Sequence, residues 1–137
     1  MSTKSYIVID GFNITQTGTK GIYADSSSYL TISNNHVTYA GATSTTHPYE
    51  QGIYLKSTTH STITGNTTDH NTCIGIRLLI NSNYNMVSNN LSFSNFSIVE
   101  SDAAGIETTG SSYNTIINNV TYSNEDSGIN IYVIPTH

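Results

Sequence analysis

The chain of 137 residues carries only four Lys or Arg against nine Asp or Glu. One of the four cations, Arg77, stands third in the pentad GIRLL at 75–79. The same third position holds Tyr23 in GIYAD, Tyr54 in GIYLK, Glu107 in GIETT and Asn130 in GINIY. A guanidinium set among phenols and carboxylates is suited to an acidic sugar, because it can hold a uronate carboxylate with two parallel hydrogen bonds. Elimination beside such a carboxylate also needs a base and an acid, for which His47, Tyr49 or Tyr54 would serve. A second chemistry uses carboxylates: Glu50, Glu100, Asp102 and Glu107 as a hydrolytic acid and base, whose separation would set the stereochemical outcome. Glu50, Glu100 and Asp102 are also a weak Ca²⁺ set, without EF-hand ligand spacing, so that no cofactor is expected apart from a possible Ca²⁺. The third reading is structural, with Arg77 and Glu107 pairing as opposite charges on adjacent strands and the tyrosines covering the sheet.

Taken together, the expected catalytic set is Arg77, Glu107, His47, Glu50 and Asp102. The expected substrate contacts are Tyr23, Tyr54, Lys56, Tyr49 and Glu100. The remaining histidines, His36, His60, His70 and His137, read as solvated surface groups, and no His-x-His or His-x₃-His pair suggests zinc or copper.

These residues matter only if one element brings them together, and the repeat supplies it. The Gly-Ile pairs begin at Gly21, Gly52, Gly75, Gly105 and Gly128, with steps of 31, 23, 30 and 23 residues. A second motif runs in phase: Ile32/Asn35/Val37, Ile63/Asn66/Thr68, Val87/Asn90/Ser92 and Ile116/Asn119/Thr121, with Ile9/Phe12/Ile14 as an opening variant. A period above about 20 residues marks a stacked array. Within each unit apolar residues alternate in twos, which is strand spacing, and no stretch shows sustained helical periodicity. The pattern predicts an all-β, single-stranded parallel β-solenoid of five to six coils of about 23 residues spanning 1–137, with no helical domain. Inward Ile columns form its core. Asn35, Asn66, Asn90 and Asn119 stack at one corner, each amide bonding the next.

The segments SYIVIDGFNIT, SSYLTISNNHVT, GIYLKSTTHSTITGNTT and SYNTIINNVTYSN resemble the right-handed parallel β-helix repeats of the pectate-lyase-like superfamily, and more narrowly its carbohydrate-binding and sugar-hydrolase type. The resemblance covers residues 5 to 132. It implies the fold specifically and the reaction loosely, since lyases, hydrolases, uronate epimerases, phage tail spikes and non-catalytic surface proteins share the repeat. Complete members carry an N-terminal cap and more coils, so the chain is expected to be a fragment of a longer protein, or a unit that stacks end to end as a homo-oligomer.

The step from the second motif to the next Gly is 12 residues in three coils but 20 and 18 in the other two. Two inserted loops therefore lie at one corner, at 38–51 and 92–104. They sit two coils apart, about 10 Å, and are expected to form the walls of a groove around Arg77.

Composition sets outer limits. The net charge of −5 and the lack of a basic patch argue against a nucleic-acid partner. No apolar run approaches a membrane span. Cys73, the single cysteine, excludes an internal disulfide and reads as a small buried residue. Asn, Ser and Thr make up 56 residues and Lys is scarce, which suggests an extracellular or cell-surface protein. No secretory signal precedes SYIVIDGFNI. The sequons at Asn66, Asn90 and Asn119 coincide with the ladder and should point inward.

Overall fold

A computed structural model describes residues 1–42, 50–97 and 102–133. Each coil contributes three short strands. The first holds β1 (Val8–Asp10), β2 (Asn13–Thr15) and β3 (Ile22–Asp25), and the second β4 (Thr31–Ser33), β5 (His36–Thr38) and β6 (Ile53–Lys56). The third holds β7 (Thr62–Thr64), β8 (Thr67–Asp69) and β9 (Ile76–Leu79), and the fourth β10 (Met86–Ser88), β11 (Leu91–Phe93) and β12 (Ile106–Thr109). The fifth holds β13 (Thr115–Ile117), β14 (Val120–Tyr122) and β15 (Ile129–Tyr132). Every third strand pairs in parallel, so three five-stranded sheets form the faces of the solenoid: β1-β4-β7-β10-β13, β2-β5-β8-β11-β14 and β3-β6-β9-β12-β15. No described residue is helical, and no helix among the described residues is long and apolar enough to cross a membrane.

The registers place like on like. Ile9, Ile32, Ile63, Val87 and Ile116 are successive partners, as are Ile22, Ile53, Ile76, Ile106 and Ile129. In the three middle coils these columns are buried and form one continuous core with Leu30, Val37, Leu55 and Leu78. A parallel strand edge is satisfied only by another coil, so burial falls at both ends and peaks in the middle.

The corners are turned by left-handed residues. Tyr6, Tyr29, His60, Tyr84 and Tyr113 have φ between 52° and 59°, and Gly11, Asn34, Gly65, Asn89 and Asn118 repeat the device at the next corner with φ of 54° to 74°. A positive φ costs a non-Gly residue on the order of 1 kcal/mol. Asn bears it best, and the aromatic residues gain from contacts along the stack. The five corner rings form one column, with centroids 4.8 to 5.2 Å apart.

The Asn ladder forms as expected. Asn35 donates its side-chain amide to Asn66 Oδ1 at 3.0 Å, Asn66 to Asn90 at 3.0 Å and Asn90 to Asn119 at 2.9 Å. Each of these oxygens also accepts the backbone N–H of the residue one coil earlier. A second ladder runs beside it through Asn71, Asn95 and Asn124, with amide contacts of 2.9 Å. Asn95 is buried there, so its sequon is enclosed like those at Asn66 and Asn90.

The Gly that opens each pentad is needed for space. A Cβ on Gly52 would lie 2.7 Å from the carbonyl oxygen of Gly75 and 2.8 Å from the Asn71 amide. Gly75 and Gly105 meet the carbonyl of the next Gly at the same 2.7 Å. The column is a backbone contact along the stack, made where the second ladder passes.

Candidate functional site

The outer face of the sheet β3-β6-β9-β12-β15 carries the variable third letter of each pentad. Tyr23, Tyr54, Arg77, Glu107 and Asn130 are direct partners on successive strands, so the expected column exists. Asp25, Lys56, Leu79, Thr109 and Tyr132 form the neighbouring one. His47, Tyr49 and Glu100 lie outside the described residues, as do the tips of both inserted loops.

The column divides into two charge groups with Tyr54 between them. On the first side Lys20 Nζ reaches Glu50 Oε2 at 2.6 Å. It also lies 5.8 and 5.6 Å from the ring centres of Tyr23 and Tyr54, within cation–π range. Those two rings stack at 5.2 Å. Lys20 is a contributor that pattern reading missed, although its place directly before Gly21 is a signal. Glu50 is buried at the foot of its loop.

On the second side Arg77 Nε lies 2.8 Å from Glu107 Oε1. The contact is an ion pair, made where Nε is buried. Thr109 Oγ1 donates to the same Glu107 oxygen at 2.9 Å. The expectation that the whole column faces an open groove does not hold for Tyr54, which is buried, or for Glu107, whose side chain is 1% exposed against 23% for Arg77. Ala103 and Ala104, at the root of the second loop, are fully buried nearby in sequence.

Burial pushes the Glu107 carboxyl up from its ordinary value, with Arg77 opposing. Asp102 adds repulsion to Glu107, and its backbone carbonyl accepts from the Cys73 thiol at 3.4 Å. Burial also drives that thiol up to about 11, so Cys73 is a packed thiol and not a nucleophile. The phenols stay protonated at neutral pH: burial and the Asp25 hydrogen bond raise Tyr23 to about 12, and burial raises Tyr54. Both are hydrogen-bond donors, not bases. Lys56 makes no ion pair among the described residues and sits beside Asp25 across the strands. No three His, Cys, Asp or Glu among the described residues gather as a metal-ligand set.

A second polar cluster lies on the sheet β2-β5-β8-β11-β14. Asp69 Oδ1 is 2.6 Å from His36 Nε2, and its Oδ2 is 2.8 Å from His70 Nδ1. The two histidines read from sequence as solvated thus share one nearly buried carboxylate. Burial raises the Asp69 carboxyl, but the bonds from His70 and His36 outweigh it and hold it below the ordinary value. His70 also stacks on Tyr39 at 5.2 Å.

The comparisons with known proteins agree with this architecture. The family model described as "Right handed beta helix region" matches residues 1–134. No curated protein and no solved structure matches the chain.

Proposed function

The chain belongs to the right-handed β-helix family, and from that premise we propose that it binds an acidic glycan on the face around Arg77. The observation that carries the reading is the state of the Arg77 side chain. It keeps an exposed portion and makes one ion pair, through Nε to Glu107. Its guanidinium retains donors for a uronate carboxylate, which an arginine fork can take in bidentate fashion. Tyr23, two coils away and partly exposed, offers an aromatic surface for a neighbouring sugar ring, while buried Tyr54 packs behind it. Lys20 and Lys56 supply further cationic character along the same face.

The described carboxylates favour binding over hydrolysis as the task of this face. Glu50 is held by Lys20 and Glu107 by Arg77, both buried, whereas an acid–base pair must reach the scissile bond.

Titration calorimetry with oligogalacturonates and with neutral oligosaccharides of equal length tests the proposal. Binding of the acidic series alone is expected, with loss of at least about tenfold in affinity in Arg77→Ala. Equal binding of both series, or an unchanged affinity in Arg77→Ala, would sink it. Release of unsaturated uronate products in the same mixtures would show that the bound glycan is also cleaved.

A further inference from the structure

Both inserted loops are tied to the short coil that lies between them. Asn71, Thr72 and Cys73 connect β8 to β9 in that coil, and all three are buried. Asn71 Oδ1 accepts the N–H of Ala40 at 2.9 Å, and its backbone carbonyl accepts that of Phe96 at 3.0 Å. Thr72 Oγ1 donates to Ala40 O at 3.1 Å and accepts the N–H of Glu50 at 3.2 Å. The Cys73 thiol donates to Asp102 O. Three consecutive residues thus hold the departing and returning feet of both loops.

The hydroxyl of Thr72 answers to the loop beside it. Gly41, Thr72, Phe96 and Glu125 are equivalent in successive coils, each donating its backbone N–H to the coil before. Thr72 and Glu125 follow the two coils that carry long loops. Each gives a side-chain oxygen to a backbone N–H of that loop, Glu50 for Thr72 and Ser97, at 2.7 Å, for Glu125. Gly41 and Phe96 follow coils with short connections and have no side-chain oxygen to give. Gly41 also leaves the room that Thr72 needs, since a Cβ there would collide with Thr72 Oγ1 and lie 2.7 Å from Glu50 Cβ.

From Thr72 the contacts run back two coils to the aromatic surface. Glu50, whose N–H is taken by the Thr72 hydroxyl, accepts from Lys20 Nζ at 2.6 Å. That ammonium lies over the rings of Tyr23 and Tyr54. The Lys20 side chain is partly exposed, and an ammonium has three donors, of which Glu50 takes one. We propose that Thr72 is a positioning residue for the glycan face. Its hydroxyl fixes the returning foot of the first loop, and through Glu50 it holds the Lys20 ammonium where a second acidic group of the glycan meets it, two coils from Arg77. Without the hydroxyl the Glu50 N–H is a buried donor with no acceptor, which that foot relieves by moving toward water. The role rests on the acidic-glycan reading and adds a second anion contact to it.

Calorimetry with oligogalacturonate and amide hydrogen exchange by NMR test it, with far-UV circular dichroism to verify the fold of each variant. Thr72→Val keeps the shape of the side chain and removes its hydroxyl. Exchange of the Glu50 N–H should then rise about tenfold or more, and affinity should fall about tenfold. Thr72→Ser restores the hydroxyl and should bring both within about twofold of wild type. Lys20→Met should lower affinity by a similar factor. Thr72→Val in the Lys20→Met background should add little, because residues acting along one chain of contacts are not additive. Unchanged affinity in Thr72→Val or in Lys20→Met, full additivity in the double variant, or unchanged Glu50 exchange overturns the proposal and leaves the glycan reading standing. A wild type that binds no oligogalacturonate sinks the glycan reading, and this role with it.

Discussion

Arg77 and Glu107 stand on adjacent strands with Nε 2.8 Å from Oε1, yet Glu107 is enclosed while Arg77 keeps contact with solvent. The pair is thus asymmetric, and dehydration of the carboxylate outweighs its attraction to the guanidinium. A folded-state pKa above the unfolded one contributes stability below the unfolded value and loses it as pH rises through the folded value. Glu107→Gln mimics the protonated form, so its stability relative to wild type should grow on going from about pH 4 toward neutrality, by on the order of 1 kcal/mol. Urea denaturation across pH measures this. A variant weaker at all pH values would show that the ion pair dominates.

Asp69 has the opposite sign. Its carboxyl is held below the ordinary value in the folded state, so its stabilisation is present above the unfolded pKa and is lost as pH falls through the folded one. Asp69→Asn should cost about 1.5–3 kcal/mol at neutral pH, the range for hydrogen bonds to a charged group. It should also flatten the acid limb of the stability profile. An acid limb unchanged in the variant would assign it to other carboxylates.

The ladder predicts a gradient along the stack. Asn66 accepts from the backbone and side chain of Asn35 and donates to Ile32 O and Asn90 Oδ1, all within the buried middle. Asn66→Ala strands several buried backbone groups and should cost about 3–5 kcal/mol by chemical denaturation. Asn119 occupies a half-exposed end coil where water replaces lost partners, so Asn119→Ala should cost about 1 kcal/mol. Equal costs would show that ladder members do not act locally.

Two glycines should respond in opposite ways. Gly52→Ala drives a methyl into the Gly75 carbonyl and the Asn71 amide, and should lower stability by about 3 kcal/mol or more, as overpacking against backbone does. Gly11 has φ of 74° but open space around its Cα, and its partners in the corner column include Asn34, Asn89 and Asn118. Gly11→Asn should stay within about 0.5 kcal/mol of wild type. A thermal melt of each variant decides.

Much of this was legible because the solenoid repeats in space what it repeats in sequence. Asn35, Asn66, Asn90 and Asn119, the Ile columns and the third letters of the pentads all met the partners that their spacing required. The second ladder had a signal that went unread, because Asn71, Asn95 and Asn124 each follow a ladder Asn by five residues. The aromatic column had one as well, since Tyr6, Tyr29, His60, Tyr84 and Tyr113 each precede the ladder position by six.

The amino-acid sequence alone determined the stacking, the register and which residues share a column, because parallel coils convert periodic spacing directly into neighbours at one strand separation. Only the tertiary structure decided how exposed each column member is. Arg77 and Glu107 occupy equivalent places in the repeat, but the chain around them differs from coil to coil, and dehydration depends on that cover. The same holds for Asp69, whose two histidines come from different coils, 33 residues and one residue away. Local pattern assigns all three to a surface; His70 meets Asp69 as its chain neighbour, and packing between coils brings His36 to the same carboxylate.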